Sequence, residues 1–244
     1  MCSKEKKFEE IANRVIRHKN ENLNINEKRL CPDCFVAKIE IDIKNNNGHI
    51  RYIKDAVKNV DSRSTMDSEL RSEDYPIIAI VLESPHKDEY KGTVSPLLAT
   101  NSSVRLRNYL LPMLYNFITT ISCQGNIYSR GTREIENGIY RIKLINAVQF
   151  QCSLGGNLSD KHVQEIKNEI VCCCLKNRIF ANDFSNRLKD LSIIINCCTG
   201  QKDGKIDGLQ KDVQDIIDKK YPNKIRLFGY HPSSLHFLKG FKKV

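Results

Sequence analysis

Four short apolar runs, separated by stretches with a helical pattern, constrain this chain more than any other feature of its sequence. The runs are IIAIVL (77–82), YRIKLINAV (140–148), LSIIINCC (191–198) and KIRLFGY (224–230). The intervening helical patterns span 104–121, 160–175 and 209–220. Apolar strands that alternate with helices are typical of a parallel sheet covered on both faces. The sequence therefore predicts a three-layer α/β/α domain, built on a four-stranded, mainly parallel sheet, over residues 76–244.

Residues 1–75 follow a different pattern and are predicted to form an extension of that domain. Residues 5–19 have the spacing of an amphipathic helix with one apolar face, formed by Phe8, Ile11, Ala12, Val15 and Ile16. Alternation of apolar and polar residues predicts a strand over 36–43, and a second strand over 49–53 would complete a small hairpin. Residues 54–75 are polar, show no clear apolar face and are predicted to be a linker.

The charge of the chain makes a polyanion the first partner to consider. Its 39 Lys and Arg residues outnumber its 29 Asp and Glu residues, so the formal net charge is +10. The stretches 91–133 and 224–244 are basic without any acidic residue, and the second also contains aromatic residues. Basic side chains interleaved with aromatic ones suit a phosphate backbone beside unstacked bases. A basic surface that only maintains solubility explains the same charge.

The apolar segments and the cysteines indicate the compartment. No apolar run approaches the roughly 18 residues of a membrane-spanning helix, and the N-terminal MCSKEKKFEE lacks the apolar core of a secretory signal. Ten cysteines in such a chain are expected to be reduced thiols or metal ligands. We therefore expect a cytoplasmic monomer that does not bind membranes.

Polar residues follow three of the four predicted strands. Glu83 comes directly after the first strand, Asn146 lies near the end of the second, and His231 follows the fourth. Ligands of such sheets bind where the carboxyl ends of the strands meet. An asparagine can pair at two points with a base edge, a carboxylate can stabilise a cationic sugar-like transition state, and a histidine can donate to a developing oxyanion. These chemistries suit cleavage of a glycosidic bond.

Three motifs around these residues resemble those of the uracil-DNA glycosylase superfamily, and most closely those of its iron–sulfur class. They are LESPHKDEY (82–90), LINAVQFQC (144–152) and YHPSSLHF (230–237), and the resemblance covers about 76–241. It implies that Asn146 holds the base edge and that His231 stabilises negative charge on the base oxygen. It also implies that Leu235 enters the duplex where a flipped base leaves the stack.

The resemblance implies further site residues. Glu83 and Glu89 would be the carboxylates that act on water or on the cationic sugar. The base pocket would comprise Ser84, Pro85, His86 and Asn146, and the DNA contacts would be Ser233, Ser234, Leu235, Lys91, Arg105 and Arg107. Ser84 stands where the best-known class has an aspartate. Either the base is not plain uracil, or catalysis depends on Glu89 or His86, or the site is inactive.

The cysteines of the iron–sulfur class hold a cluster, and the resemblance implies that Cys31, Cys34, Cys152 and Cys172 are the ligands here, with Cys173 or Cys174 as alternatives to the last. Thiolates suit an iron–sulfur cluster and zinc equally. A turn and a buried helix end explain the same cysteines without a metal. Any metal would be structural, and the chemistry itself requires no cofactor.

The favoured hypothesis is a DNA-repair glycosylase that flips a uracil or another modified base and hydrolyses its N-glycosidic bond. The alternative is a catalytically silent member of the same fold that binds nucleic acid or protein, for example in defence against foreign DNA. A hydrolase of free nucleotides or nucleosides is a third possibility. Asn146, His231 and Leu235 favour the first hypothesis, whereas Ser84 favours the second. The sequence leaves open the base and the preference for single- or double-stranded DNA.

Overall fold

The computed structural model describes residues 3–19, 29–44, 47–55, 63–85, 90, 108–112, 114, 135–152, 161–202, 205–232 and 242–243. The helices in these ranges are α1 (Lys4–His18), α2 (Arg63–Ser72), α3 (Lys161–Lys176), α4 (Arg178–Arg187) and α5 (Gly208–Lys220), and residues 108–112 and 114 are also helical. The strands are β1 (Cys34–Lys44), β2 (Asn47–Asp55), β3 (Ile77–Leu82), β4 (Gly138–Asn146), β5 (Ile193–Asn196), β6 (Gln201–Lys202), β7 (Lys205–Ile206), β8 (Ile225–Phe228) and β9 (Lys242–Lys243).

The main sheet has an α/β architecture and is mixed. Its strand order is β2-β1-β4-β3-β5-β8-β9, while β6 and β7 form a separate two-stranded ladder. The central strands β4, β3, β5 and β8 are mutually parallel. Strand β1 pairs antiparallel with both β2 and β4, and β9 pairs antiparallel with β8. The prediction of a four-stranded sheet was therefore wrong in extent, because the hairpin pairs with β4 and continues the same sheet.

The local predictions succeeded where the apolar pattern is strong. Helix α1 buries the predicted face, and the Ser3 hydroxyl accepts a hydrogen bond from the Lys6 backbone N–H as an N-cap. Two helices were not predicted. The polar linker contains α2, which buries Leu70, and α4 begins directly after α3, where the Asn177 side chain caps it. Both helices are short, so that few apolar residues mark them.

The two faces of the sheet pack against different helical layers. Ala79, Val81 and Ile145 belong to one apolar core with residues of α1, α3, α4 and α5. The alternate positions of the same strands, such as Ile78 and Ile80, belong to a second core, which contains the helical residues 110 and 114. Because successive side chains of a strand point to opposite faces, burial on both faces explains why the central strands are continuous apolar runs.

Buried hydrogen bonds hold together the segments that follow β5 and β8. The Asn196 side chain donates to the Gln210 backbone oxygen over 2.9 Å, and the Gln210 side chain donates to the backbone oxygens of Asn196 and Gly229 over 2.9 and 2.8 Å. Gly200 lies at φ +127°, where a Cβ would stand 2.2 Å from the Asp207 backbone oxygen. The segments that carry Thr199 and His231 are thereby held at the carboxyl edge of the sheet.

Candidate functional site

Three of the predicted site residues meet at one edge of the sheet. Leu82 pairs with Asn146 in the β3–β4 ladder, so that Glu83 follows beside the end of β4. The backbone N–H of Val148 donates to the backbone oxygen of Glu83 over 3.0 Å. His231 follows β8 and approaches the Glu83 carboxylate from the far side of β5. We call Glu83, Lys167, Thr199 and His231 the edge cluster.

Glu83 is an ionised carboxylate whose two oxygens both accept hydrogen bonds. Its side chain is 2% exposed, and Lys167 Nζ lies 2.6 Å from Oε1. The Thr199 backbone N–H donates to Oε2 over 3.1 Å, and the Thr199 hydroxyl donates to Oε1 over 3.4 Å. Burial alone would raise the pKa of Glu83, but the Lys167 ammonium, the charge of His231 when it is protonated in acid, and the hydrogen bonds outweigh it and lower the pKa to about 2.

His231 lies at the outer side of this carboxylate. Its Nε2 is 3.9 Å from Glu83 Oε2, and its side chain is 18% exposed. Burial lowers the pKa of His231, and the Lys167 ammonium lowers it further, whereas the Glu83 carboxylate raises it. The net pKa lies below the usual 6.5, so that the imidazole is neutral at pH 7. A neutral imidazole can donate one N–H without supplying a proton from an imidazolium.

The sequence motifs did not identify Lys167 or Thr199. Lys167 occupies the same stripe of α3 as Val163, Ile166 and Ile170, which are buried. A lysine inside an apolar stripe is the signal by which it could have been noticed, because lysine is rarely buried without a partner. Thr199 stands in a polar turn after β5 and carries no comparable signal.

The low pKa of Glu83 predicts a loss of stability in acid. A carboxylate with a pKa of about 2 in the folded protein and 4.5 in the unfolded chain stabilises the fold fully above pH 4.5. That contribution, about 3 kcal/mol, disappears as the pH falls from 4.5 to 2. Urea unfolding at a series of pH values should show this loss in the wild type. The E83Q/K167M double variant should lack it, and an equal acid dependence of both proteins would contradict the assignment.

Asn146 brings a buried amide to the edge. Its side chain is 3% exposed, and its Oδ1 has no hydrogen-bond partner among the described residues. A buried acceptor without a partner costs about 1–3 kcal/mol, a cost that a ligand with a suitable donor would remove. The Arg187 guanidinium donates to the backbone oxygens of Asn146 and Ala147 over 2.9 and 3.2 Å, and so holds the end of β4 in place.

Asp33, between the two cysteines of the C-x2-C motif, anchors this arginine. The Arg187 Nη1 donates to Asp33 Oδ1 over 2.7 Å, and Lys143 Nζ lies 3.7 Å from Asp33 Oδ2. The Gln149 side chain donates to Asp33 Oδ1 over 3.4 Å. In the described structure the motif is thus attached to the site through its aspartate.

None of the four predicted metal ligands forms a disulfide with another described residue. Cys31, Cys34 and Cys152 are buried, and Cys172 donates to Asp212 Oδ2 over 3.1 Å. Burial raises the pKa of Cys152 and of Cys172 to about 12. No group of three or more His, Cys, Asp or Glu side chains in the described ranges is arranged to hold a metal ion. The ligand set stays a prediction.

The remaining predicted site residues are divided between described and undescribed parts of the chain. Ser84 is half-buried and Pro85 is buried, directly after Glu83. Eight residues lie outside the described ranges: His86, Glu89, Lys91, Arg105, Arg107, Ser233, Ser234 and Leu235. Of the predicted base pocket, Ser84, Pro85 and Asn146 are thus described and His86 is not, and both the pocket and the DNA contacts stay predictions.

The fold and the site define an α/β protein with a buried carboxylate–lysine–histidine cluster at the carboxyl edge of its sheet, where a buried asparagine ends the neighbouring strand. Within the described ranges, none of the helices combines the length and apolarity needed to cross a membrane. Searches of protein-family models, of curated proteins and of solved structures each found no match to the chain.

Proposed function

We propose that this protein is a DNA glycosylase that flips a uracil or another modified base and hydrolyses its N-glycosidic bond. The observation that carries the proposal is the meeting of His231 with the Glu83 carboxylate, 3.9 Å apart, at the sheet edge where the buried Asn146 ends the neighbouring strand β4. The parallel order β4-β3-β5-β8 supports a domain of the uracil-DNA glycosylase type, because it presents these three residues at one edge.

The proposed reaction separates binding of the base from stabilisation of charge. The unpartnered Oδ1 of Asn146 accepts from a ring N–H of the base. When the bond between the sugar C1′ and the base nitrogen breaks, its electron pair moves onto the base, and the neutral His231 donates a hydrogen bond to the oxygen where that charge accumulates. Water then adds to C1′ and loses a proton to solvent or to the base, which completes the hydrolysis.

The contacts of Glu83 change the role that the sequence suggested for it. Both of its oxygens are already occupied by Lys167 and Thr199, and the side chain is 2% exposed. Glu83 is therefore unsuited to activating water and contributes a fixed negative charge instead. Glu89 remains the candidate for contact with water, outside the described ranges.

The burial of Glu83 also favours the second candidate function, a silent DNA-binding protein of the same fold. If no other carboxylate supplies the missing contact with water, the edge can bind a base without cleaving the bond. The net charge of +10 supports DNA as the partner in both cases.

An excision assay with a panel of bases distinguishes these functions. End-labelled oligonucleotides would each carry one uracil, hypoxanthine or modified pyrimidine, in single and double strands, and alkali would cut at every abasic site. We expect cleavage at one base. Asn146→Ala should weaken transition-state binding of that base by about 1–3 kcal/mol, which is measured as a lower kcat/KM. Asn13→Ala, on the exposed side of α1, should leave kcat/KM unchanged.

Two results of this assay would contradict the proposal. Salt-sensitive binding without cleavage at any base would identify the silent DNA-binding protein instead. Neither cleavage nor binding would exclude both functions.

A further inference from the structure

Lys167 makes the shortest ionic contact of the edge cluster, although it belongs to none of the motifs. Helix α3 carries it to the carboxyl edge, where its side chain is 15% exposed and its ammonium lies 2.6 Å from Glu83 Oε1. The same carboxylate faces His231 through its other oxygen, at 3.9 Å. One carboxylate thus separates a fixed ammonium from an imidazole.

We propose that Lys167 is a positioning residue for His231: its ammonium balances the Glu83 carboxylate, and the balanced pair keeps the imidazole neutral. A carboxylate alone at 3.9 Å would favour the imidazolium. With the ammonium bound to it, the carboxylate retains little net attraction for a proton on His231. The inference rests on the proposed function only for its effect on catalysis, since the charge balance is a property of the cluster itself.

Three thiols that interact electrostatically with Glu83 are uncharged at neutral pH. Cys152 follows β4, and Cys197 and Cys198 follow β5. Burial raises the pKa of all three thiols well above the usual range, to about 12 for Cys152. The charges that act on the His231 imidazole within the described ranges are those of Glu83, which raises its pKa, and Lys167, which lowers it.

The test is the titration of His231 by NMR in protein with labelled histidine, assigned among the six histidines by the H231A spectrum. Removing the ammonium in K167M leaves the carboxylate unbalanced and should raise the His231 pKa by about 1–3 units. Lys161→Met is the matched control, because Lys161 lies on the same helix with a 92% exposed side chain, and it should leave the titration unchanged.

A second comparison decides the matter if K167M does not fold. In E83Q the ammonium acts on His231 without its partner, and in E83Q/K167M both charges are absent. The His231 pKa should be lower in E83Q than in the wild type, and higher in E83Q/K167M than in E83Q. If the His231 pKa is the same in K167M as in the wild type, or the same in E83Q/K167M as in E83Q, the proposed role of Lys167 is wrong.

The catalytic consequence is measured separately. If His231 acts as a neutral donor, the acid limb of the pH–rate profile should lie at higher pH in K167M than in the wild type. The shift of its apparent pKa should equal the shift of the His231 pKa measured by NMR. Shifted titrations in a protein that excises no base would confirm the charge balance and exclude the glycosylase. Excision that proceeds with unchanged titrations would confirm the glycosylase and exclude the role of Lys167.

Discussion

Replacing Lys167 with methionine is expected to lower the free energy of unfolding by about 3–5 kcal/mol. The substitution leaves the Glu83 carboxylate, 2% exposed, without the ammonium at 2.6 Å that compensates its burial. Removing one member of a buried ion pair is costly because the other must remain charged in an apolar environment or take up a proton. Urea or guanidinium unfolding at pH 7, followed by circular dichroism, measures this effect.

The matched variants separate this effect from a simple loss of packing. Lys161→Met, on the exposed side of the same helix, should change the free energy of unfolding by less than about 0.5 kcal/mol. In E83Q/K167M neither charge is buried, so the double variant should be clearly more stable than K167M. If K167M is as stable as the wild type, the ion pair does not contribute to the fold as the geometry indicates.

Replacing His231 with alanine is expected to lower kcat for base excision by about 10²–10³-fold. The imidazole is the group placed to donate to the oxygen on which charge develops as the base departs. A donor that acts mainly in the transition state affects kcat more than KM. Single-turnover excision of the preferred base by wild-type and H231A protein measures the loss directly.

His18→Ala is the control for this substitution, because His18 is exposed at the end of α1. His18→Ala should leave kcat unchanged. An H231A protein that is folded and retains wild-type kcat would remove His231 from the reaction. In that case Asn146 and the undescribed Glu89 would be the residues to examine next.

The main elements of the fold could be predicted because each leaves a local pattern. The apolar face of α1 and the apolar runs of β3, β4, β5 and β8 reflect burial within one element. Helices α2 and α4 were missed because each spans only 10 residues and buries few apolar side chains. The hairpin strands were predicted, but their pairing with β4 was not, since alternation shows that a strand has a buried face and not which strand it adjoins.

What the sequence determined by itself was the alternation of strands and helices, and with it the positions of Glu83, Asn146 and His231 at strand ends. The carboxyl ends of parallel strands meet at one edge, so these residues converge under a general rule. Tertiary structure alone decided their partners. Lys167 and its partner Glu83 are 84 residues apart in the sequence, and Arg187 and Asp33 are 154 residues apart. Such pairs leave no local pattern, because each depends on a helix packing against a segment at the end of a strand before the charges meet.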